Sequence, residues 1–151
     1  MTQFAEEMYD EVIDEIAPLF EQHWEEIALN KDKIKLSPDL SKYKALNDLG
    51  ILRIFTARNE GLLVGYFVVI AQPHLHYQEH TFAMNDIIYI HPDYRGSTVA
   101  YRMIKYVEKV LKKDGVSVLM INMKVFAPFD NLLEKLQFTN TERVHSKYIG
   151  D

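Results

Sequence analysis

The 151-residue sequence predicts a single α/β domain over residues 1–151, with a central mixed β-sheet flanked by helices. Segments 51–58 and 62–71 are rich in β-branched and aromatic residues and are joined by a short turn, which predicts an antiparallel hairpin. Farther along, a strand-like run at 86–91, an amphipathic helix and an apolar run at 116–125 form a β-α-β unit, whose strands pair in parallel. A sheet with both kinds of pairing is mixed.

The N-terminal part is predicted to be helical. Between residues 3 and 29 apolar side chains recur every four residues, the spacing of one helix face. They are Phe4, Met8, Val12, Ile16, Phe20 and Trp24. Pro18 lies inside this pattern and predicts a kink or two abutting helices. A short second helix is expected to begin at Ser37-Pro38, a hydroxyl N-cap followed by proline, and to end near Gly50.

Residues 72–80 are polar and are predicted to form a loop after the hairpin. Their three histidines, His74, His76 and His80, leave two interpretations open: ligands of a zinc site, or solvated side chains facing a substrate. The spacing matches no specific zinc motif, so we favour the second interpretation and predict no metal site. Inside the hairpin, Gly65 predicts a bulge or a close approach of two backbones.

Composition argues against several classes of protein. The net charge of −5 disfavours a general nucleic-acid-binding surface, which would be basic. There is no cysteine, and hence no disulfide and no thiol nucleophile. The first residues, MTQFAEE, lack the apolar core of a signal peptide, and no apolar run reaches the roughly 18 residues of a membrane span. We therefore expect a cytoplasmic protein that binds neither nucleic acid nor membranes.

The stretch from Asn85 to Gly115 carries the functional signal. A strand from Asp86 is ended by Pro92, and a loop of small residues leads into a helix that Gly115 ends. The apolar positions of this helix are three and four apart; they are Val99, Ala100, Met103, Ile104, Val107, Val110 and Leu111. A helix entered in this way presents several free backbone N–H groups in one direction, which is an arrangement that binds phosphate.

The run Ile90-His91-Pro92-Asp93-Tyr94-Arg95-Gly96 resembles the acetyl-CoA-binding motif of the GNAT superfamily of acyltransferases. Ala100 matches the last small position of that motif, and Thr98 stands where the family usually has glycine. The segment Leu133 to Phe138 is similar to a later family motif, with Leu133 where many members carry a tyrosine that protonates the leaving thiolate and Gln137 where they carry glycine.

The resemblance implies a GNAT-like fold and an N-acetyltransferase that moves an acetyl group from acetyl-CoA to an amine of a small molecule or a protein by direct attack. It also implies a set of contacts with acetyl-CoA. They are backbone groups of the strand at Ile88, Tyr89 and Ile90, and the loop and helix start at Arg95, Gly96, Ser97, Thr98, Val99 and Ala100.

Two catalytic residues are predicted. Asp86 stands at the start of the strand beside the expected reaction centre, where a carboxylate could orient a water that takes the amine proton; capping of the strand is the alternative role. Tyr148 is a candidate general acid, with Tyr89 and His145 as alternatives, although a thiolate can also leave without an acid.

Thr98, Leu133 and Gln137 keep a second function open: a GNAT-like protein that binds acyl-CoA or a partner without efficient catalysis. A homodimer is left open as well. The rest of the chain is expected to form a short helix at 128–136 and a final strand at 139–149.

Overall fold

The computed structural model describes residues 1–151, which form one five-stranded sheet with helices on both faces. In chain order the elements are β1 (Thr2–Glu6), α1 (Tyr9–Ile27), α2 (Leu40–Asp48), β2 (Leu52–Asn59), β3 (Leu62–His74), β4 (Tyr77–Ile90), a 3-10 turn (Pro92–Tyr94), α3 (Val99–Lys113), β5 (Val116–Met120) and α4 (Asp130–Lys135). The strand order is β1-β2-β3-β4-β5; the first four strands are antiparallel neighbours, and β5 pairs in parallel with β4. The predicted mixed sheet is confirmed.

The two faces of the sheet bury separate hydrophobic cores, because successive side chains of a strand point to opposite faces. On one face α1 packs Ile16 and Phe20 with Tyr66, Val68 and Tyr89 of the sheet. On the other face α3 packs its predicted apolar stripe. Its buried members are Val99, Met103, Ile104, Val107 and Leu111. Strand β4 therefore presents alternate residues to the α1 side and to the α3 side.

The helical prediction for residues 3–8 is wrong, because Thr2–Glu6 forms strand β1 and pairs antiparallel with β2. The four-residue apolar spacing continued through this segment by coincidence, and long-range pairing decided its conformation. The helix begins at Tyr9 and runs through Pro18 as one element, not as two abutting helices. The second helix is capped by Asp39, whose side chain accepts a hydrogen bond from the Lys42 amide, and not by Ser37.

The predicted loop at 72–80 is also wrong, since most of it extends the hairpin of β3 and β4, with the turn at Leu75 and His76. Toward the C-terminus, β5 ends at Met120, earlier than predicted, and residues 139–149 form no strand. The short helix over 128–136 is confirmed in its centre as α4. No helix is both long enough and apolar enough to cross a membrane.

Gly65 marks a close approach of two strands, as predicted. A Cβ atom at this position would lie 2.7 Å from Cδ1 of Ile90 and 2.9 Å from the carbonyl oxygen of Tyr89. Only glycine lets β3 and β4 pair this closely here. The close approach fixes the position of the last residues of β4. These residues lead into the loop that the sequence predicts to bind phosphate.

Candidate functional site

Strands β4 and β5 diverge after a short paired stretch. Their ladder ends at Met84 and Met120, and one residue farther along the Asn85 side chain bonds the backbone of Asn122. Asn85 Nδ2 donates to the Asn122 carbonyl at 3.0 Å, and the Asn122 amide donates to Asn85 Oδ1 at 2.7 Å. These two hydrogen bonds fix the point at which β4 and β5 diverge. Beyond it the outer edge of β4 has no strand partner.

Two backbone amides of β4 face this open edge. The His91 amide donates to the Val64 carbonyl of β3 at 2.8 Å, and Tyr89 lies opposite Tyr66 in the same ladder. Because backbone groups alternate between the two edges of a strand, the amides of Ile88 and Ile90 point away from β3. The Ile90 carbonyl confirms this direction, since it accepts a hydrogen bond from Arg95 on that side.

The N-terminus of α3 holds a second group of free amides. The backbone N–H groups of Gly96, Ser97, Thr98, Ala100 and Tyr101 donate to no protein atom, whereas the next amide already bonds back to Thr98. Such amides, aligned with the positive end of the helix dipole, form a site for phosphate groups. They lie just beyond the free amides of β4 along the chain.

The local conformation of the loop accounts for its residues. Gly96 has a φ of 76°, a left-handed conformation that disfavours any side chain. Thr98 has a φ of −82° and is the N-cap of α3, so a β-branched residue is accommodated where the family usually has glycine. Ser97 Oγ donates to the Tyr94 carbonyl at 2.5 Å and accepts from the Val99 amide at 3.3 Å, which fixes the turn.

The Arg95 side chain ties the loop to two other elements. Its Nε donates to the Ile90 carbonyl at 2.8 Å, and its Nη2 pairs with the Glu26 carboxylate of α1 at 2.9 Å. The guanidinium also lies 5.7 Å from the centre of the Tyr89 ring. Arg95 therefore orients the end of β4, while the backbone of its loop remains free to bind an anion.

Asp86 lies at a β-bulge of β4. In the pairing with β3, Val68 lies opposite Ile87 and Val69 lies opposite Asn85, so Asp86 is the extra residue. Bulges bend a strand and redirect a side chain, and they are frequent next to active sites. The exposed carboxylate is turned to the α1 and α2 side, where Oδ2 accepts a hydrogen bond of 2.5 Å from the Tyr43 hydroxyl of α2.

Under Asp86 lies a cluster of buried phenols. The rings of Tyr66 and Tyr89 stack with centroids 5.4 Å apart, and both hydroxyls are buried without a hydrogen-bond partner. Burial raises the pKa of both Tyr66 and Tyr89, so these groups stay neutral donors. His23 of α1 packs against Tyr89, and burial lowers the pKa of His23. This side of β4 therefore combines the Asp86 carboxylate with neutral phenols and an imidazole, and the Arg95–Glu26 ion pair lies next to Tyr89.

Tyr148 and the histidines of residues 72–80 make no contact with Asp86 or with the loop before α3. Tyr148 belongs to the C-terminal segment without regular structure, where its ring is 5.4 Å from Lys33 Nζ and its hydroxyl donates to the Asp151 carbonyl at 3.4 Å. His74 packs against the Phe82 ring at 4.5 Å, and His80 bonds Ser117. No three histidine, cysteine or carboxylate side chains are grouped closely enough to hold a metal ion.

Sequence reasoning missed Tyr43 and Asn85. Tyr43 lies on a short helix, more than forty residues before the carboxylate that it contacts, and no local pattern indicates that contact. Asn85 precedes a strong strand signal, and its role depends on where β5 stops pairing. Both residues depend on long-range geometry, which a single sequence does not display.

Comparison with solved structures supports the same fold throughout the chain. An aminoglycoside acetyltransferase, meta-AAC0020, from an uncultured soil metagenomic sample, solved with sisomicin, is 12% identical, with a TM-score of 0.76 over 99% of this chain and 97% of that one. A ribosomal-protein-alanine N-acetyltransferase from Brucella melitensis is 22% identical, with a TM-score of 0.69 over 100% and 99%. A predicted acetyltransferase with acetyl-CoA from Clostridium acetobutylicum is 13% identical, with a TM-score of 0.72 over 99% and 97%.

Sequence comparison gives one family and no individual relative. No curated protein matches the chain significantly by sequence. Residues 9–132 match the family described as "Acetyltransferase (GNAT) family", a range that holds the bulged strand, the loop and α3. The chain belongs to the GNAT family of acetyltransferases, which confirms the predicted family, fold and class of activity.

Proposed function

We propose that the chain transfers the acetyl group of acetyl-CoA to a primary amine, with the donor held along the open edge of β4 and at the N-terminus of α3. The observation that carries this proposal is the set of unpartnered amides, at Ile88 and Ile90 of β4 and at Gly96–Thr98, Ala100 and Tyr101. The amides of β4 suit the thioester carbonyl of acetyl-CoA, and the amides of the loop and of the start of α3 suit its pyrophosphate.

The loop would bind the pyrophosphate through backbone groups. Five free amides at Gly96–Thr98, Ala100 and Tyr101 can share the negative charge of the two phosphates. Arg95 contributes by fixing the loop, since its guanidinium is already paired with Glu26. Val99 is buried and its amide donates to Ser97 Oγ, so its part is to hold the start of α3 in place.

The open edge of β4 would polarise the thioester. An amide N–H of Ile88 or Ile90 directed at the carbonyl oxygen would stabilise the negative charge that develops there when the amine attacks, an effect worth about 3 kcal/mol. The amide of Tyr89 faces β3, so that residue would contribute packing and its phenol ring. The thioester chemistry itself comes from the donor.

Asp86 would accept the proton of the amine. Its carboxylate is exposed at the bulge, and Oδ1 has no protein partner and is free to bind a water or the acceptor. The attack forms the C–N bond, the C–S bond breaks, and the ammonium proton passes to the carboxylate through water. The thiolate can leave unprotonated, because a thiol is acidic enough, and Tyr148→Phe tests the predicted acid separately.

The proposal is tested by the release of free CoA from acetyl-CoA with a panel of amines. The panel contains sisomicin and an alanine-leading peptide, chosen after two of the similar structures described above. It also contains glucosamine 6-phosphate, after a glucosamine-6-phosphate N-acetyltransferase from Arabidopsis thaliana that is 12% identical, with a TM-score of 0.72. We expect amine-dependent CoA release that Asp86→Asn lowers by a factor on the order of a hundred or more, as for loss of a general base. Full activity in this variant would refute the role of Asp86.

The CoA-release assay and thermal unfolding together distinguish an acetyltransferase from a protein that only binds acyl-CoA. A protein that only binds acyl-CoA would gain thermal stability from acetyl-CoA but release no CoA with any amine. If millimolar acetyl-CoA left the melting temperature unchanged, the binding of the donor itself would be contradicted.

A further inference from the structure

Helix α2 brings a phenol to the candidate catalytic carboxylate. We infer that Tyr43 is a positioning residue, whose hydroxyl holds Asp86 in one orientation at the bulge. The inference deepens the proposed function, because it rests on the role of Asp86 as the base. Its structural basis is the hydrogen bond of 2.5 Å from the Tyr43 hydroxyl to Asp86 Oδ2.

The position of Tyr43 is fixed from several directions. Asn47, one turn farther along α2, is 6% exposed and bonds two other elements. Its Oδ1 accepts from the Tyr9 amide and its Nδ2 donates to the Leu52 carbonyl, both at 2.9 Å. The ring of Tyr43 packs on Phe20 with centroids 5.9 Å apart. Because α2 is fastened to the starts of α1 and β2, the Tyr43 hydroxyl is held in place before any ligand binds.

The surroundings make Tyr43 a permanent donor. Burial, followed by the hydrogen bond to Asp86 and the charge of that carboxylate, raises the pKa of Tyr43 far above its ordinary value. A phenol that stays protonated donates to Oδ2 at every pH at which the enzyme would work. Oδ1 keeps no protein partner and remains available for the proton of the acceptor.

No other group takes over this role. The titratable neighbours of the Asp86 carboxylate are Tyr43 from α2 and Tyr66 from β3, and the Tyr66 hydroxyl bonds no protein atom. No lysine, arginine or histidine pairs with Asp86, and Arg95 is bound to Glu26 instead. The neighbouring Tyr89 of β4 faces His23, whose pKa is lowered by burial. The Tyr43 hydroxyl is therefore the single protein donor to this carboxylate.

A purely structural role of the bond, as a tie between α2 and β4, makes a different prediction. A tie would affect stability alone, while a positioning residue also changes the rate at which the bound amine reacts. The decisive variant is Tyr43→Phe, which keeps the ring on Phe20 and removes only the hydroxyl. Tyr106→Phe is the matched control, because Tyr106 is a half-buried phenol of α3 that packs on Phe4 and Phe55 on the opposite face of the sheet.

The first measurement separates kcat from KM for the amine, with acetyl-CoA saturating. In Tyr43→Phe we expect kcat to fall roughly tenfold while the KM for the amine stays near the wild-type value, because a carboxylate that is no longer held in one orientation is displaced from the reacting amine. The KM for acetyl-CoA in Tyr43→Phe and both constants of Tyr106→Phe are expected to stay at the wild-type values. An unchanged kcat in Tyr43→Phe, while Asp86→Asn strongly lowers turnover, overturns the inference and leaves the proposed function standing.

The second measurement needs no acceptor. Tyrosines labelled with 13C at Cζ are observed by NMR at neutral pH in the wild type and in Asp86→Asn, with the Tyr43 signal assigned from Tyr43→Phe. We expect the Tyr43 signal to move in Asp86→Asn, because its hydroxyl loses a charged acceptor. An identical Tyr43 signal in both proteins overturns the inference. Full kcat/KM in Asp86→Asn together with a moved Tyr43 signal overturns the proposed base, and the positioning role with it.

Discussion

Replacing Gly96 by alanine tests the anion site at the start of α3. Gly96 has a φ of 76°, and a Cβ atom added there would meet no other atom within 4 Å. The substitution therefore adds conformational strain and no collision. A left-handed conformation costs a residue with a side chain about 1–2 kcal/mol, which should lower the melting temperature by about 2–8 °C in a chain of this size.

The effect on donor binding is expected to be larger than the effect on stability. Relaxation of the strain by rotation at Gly96 would turn its amide, and that of Ser97, away from the amides at the start of α3. Loss of one hydrogen bond to a charged phosphate is worth about 1.5–3 kcal/mol. The dissociation constant for acetyl-CoA should then rise roughly 10- to 150-fold.

A matched control is available in the turn between β2 and β3. Gly61 has a φ of 84°, and an added Cβ would likewise meet nothing within 4 Å. Gly61→Ala should cost the same stability as Gly96→Ala and leave the binding of acetyl-CoA unchanged. Calorimetric titration with acetyl-CoA and thermal unfolding of the three proteins measure both quantities. Unchanged affinity in Gly96→Ala, or equal weakening in Gly61→Ala, would refute the assignment of the loop amides to the donor.

Four further substitutions test other parts of the structure. Gly65→Ala should lower the free energy of unfolding in urea by about 1–3 kcal/mol, because the added Cβ overlaps the neighbouring strand β4. Asn85→Ala should cost about 1–3 kcal/mol and weaken acetyl-CoA binding, because both bonds that fix the divergence of β4 and β5 are lost. Gln137→Gly should raise the free energy of unfolding by about 0.5–1 kcal/mol, since Gln137 has a φ of 65°. His23→Gln should flatten the fall of stability with decreasing pH, measured by urea unfolding between pH 5 and 7.5.

The sign of the His23 effect follows from its buried position. Because burial lowers the pKa of His23, the unfolded chain takes up a proton below about pH 6.5 that the folded chain binds only at lower pH. Stability therefore falls as the pH falls, by at most about 1.4 kcal/mol per pH unit for one proton. An equal slope in His23→Gln would contradict the assignment of this pH dependence to His23. Unchanged stability in Gly65→Ala would contradict the close approach of the two strands, and unchanged stability in Asn85→Ala would contradict a stabilising role of the Asn85–Asn122 bonds. Lower stability in Gln137→Gly would contradict backbone strain at Gln137.

The end of β4, the loop and α3 could be predicted because their signals are local. The proline that ends the strand, the glycine at positive φ and the apolar stripe of the helix each act within a few residues. The close approach at Gly65 was predictable for a similar reason, since a glycine inside an apolar strand is typical of a bulge or of two backbones in close contact.

The remaining features depend on partners distant in the chain. Residues 2–6 follow a helical apolar spacing, yet pairing with β2 makes them a strand. Residues 72–80 are polar, yet they continue two long strands whose pairing outweighs their composition. The hydrogen bond between Tyr43 and Asp86 joins two segments that carry no common pattern. The Asp86 bulge itself is visible only from the register against β3.

The most direct test of the donor site is a titration of 15N-labelled protein with acetyl-CoA, followed by amide NMR. If the free amides bind the donor, saturable shifts should concentrate at Ile88 and Ile90 and at the loop from Gly96 to Tyr101, with small changes in β1 and β2. Unshifted signals at these amides with millimolar acetyl-CoA, or shifts confined to other surfaces, would contradict the proposed donor site.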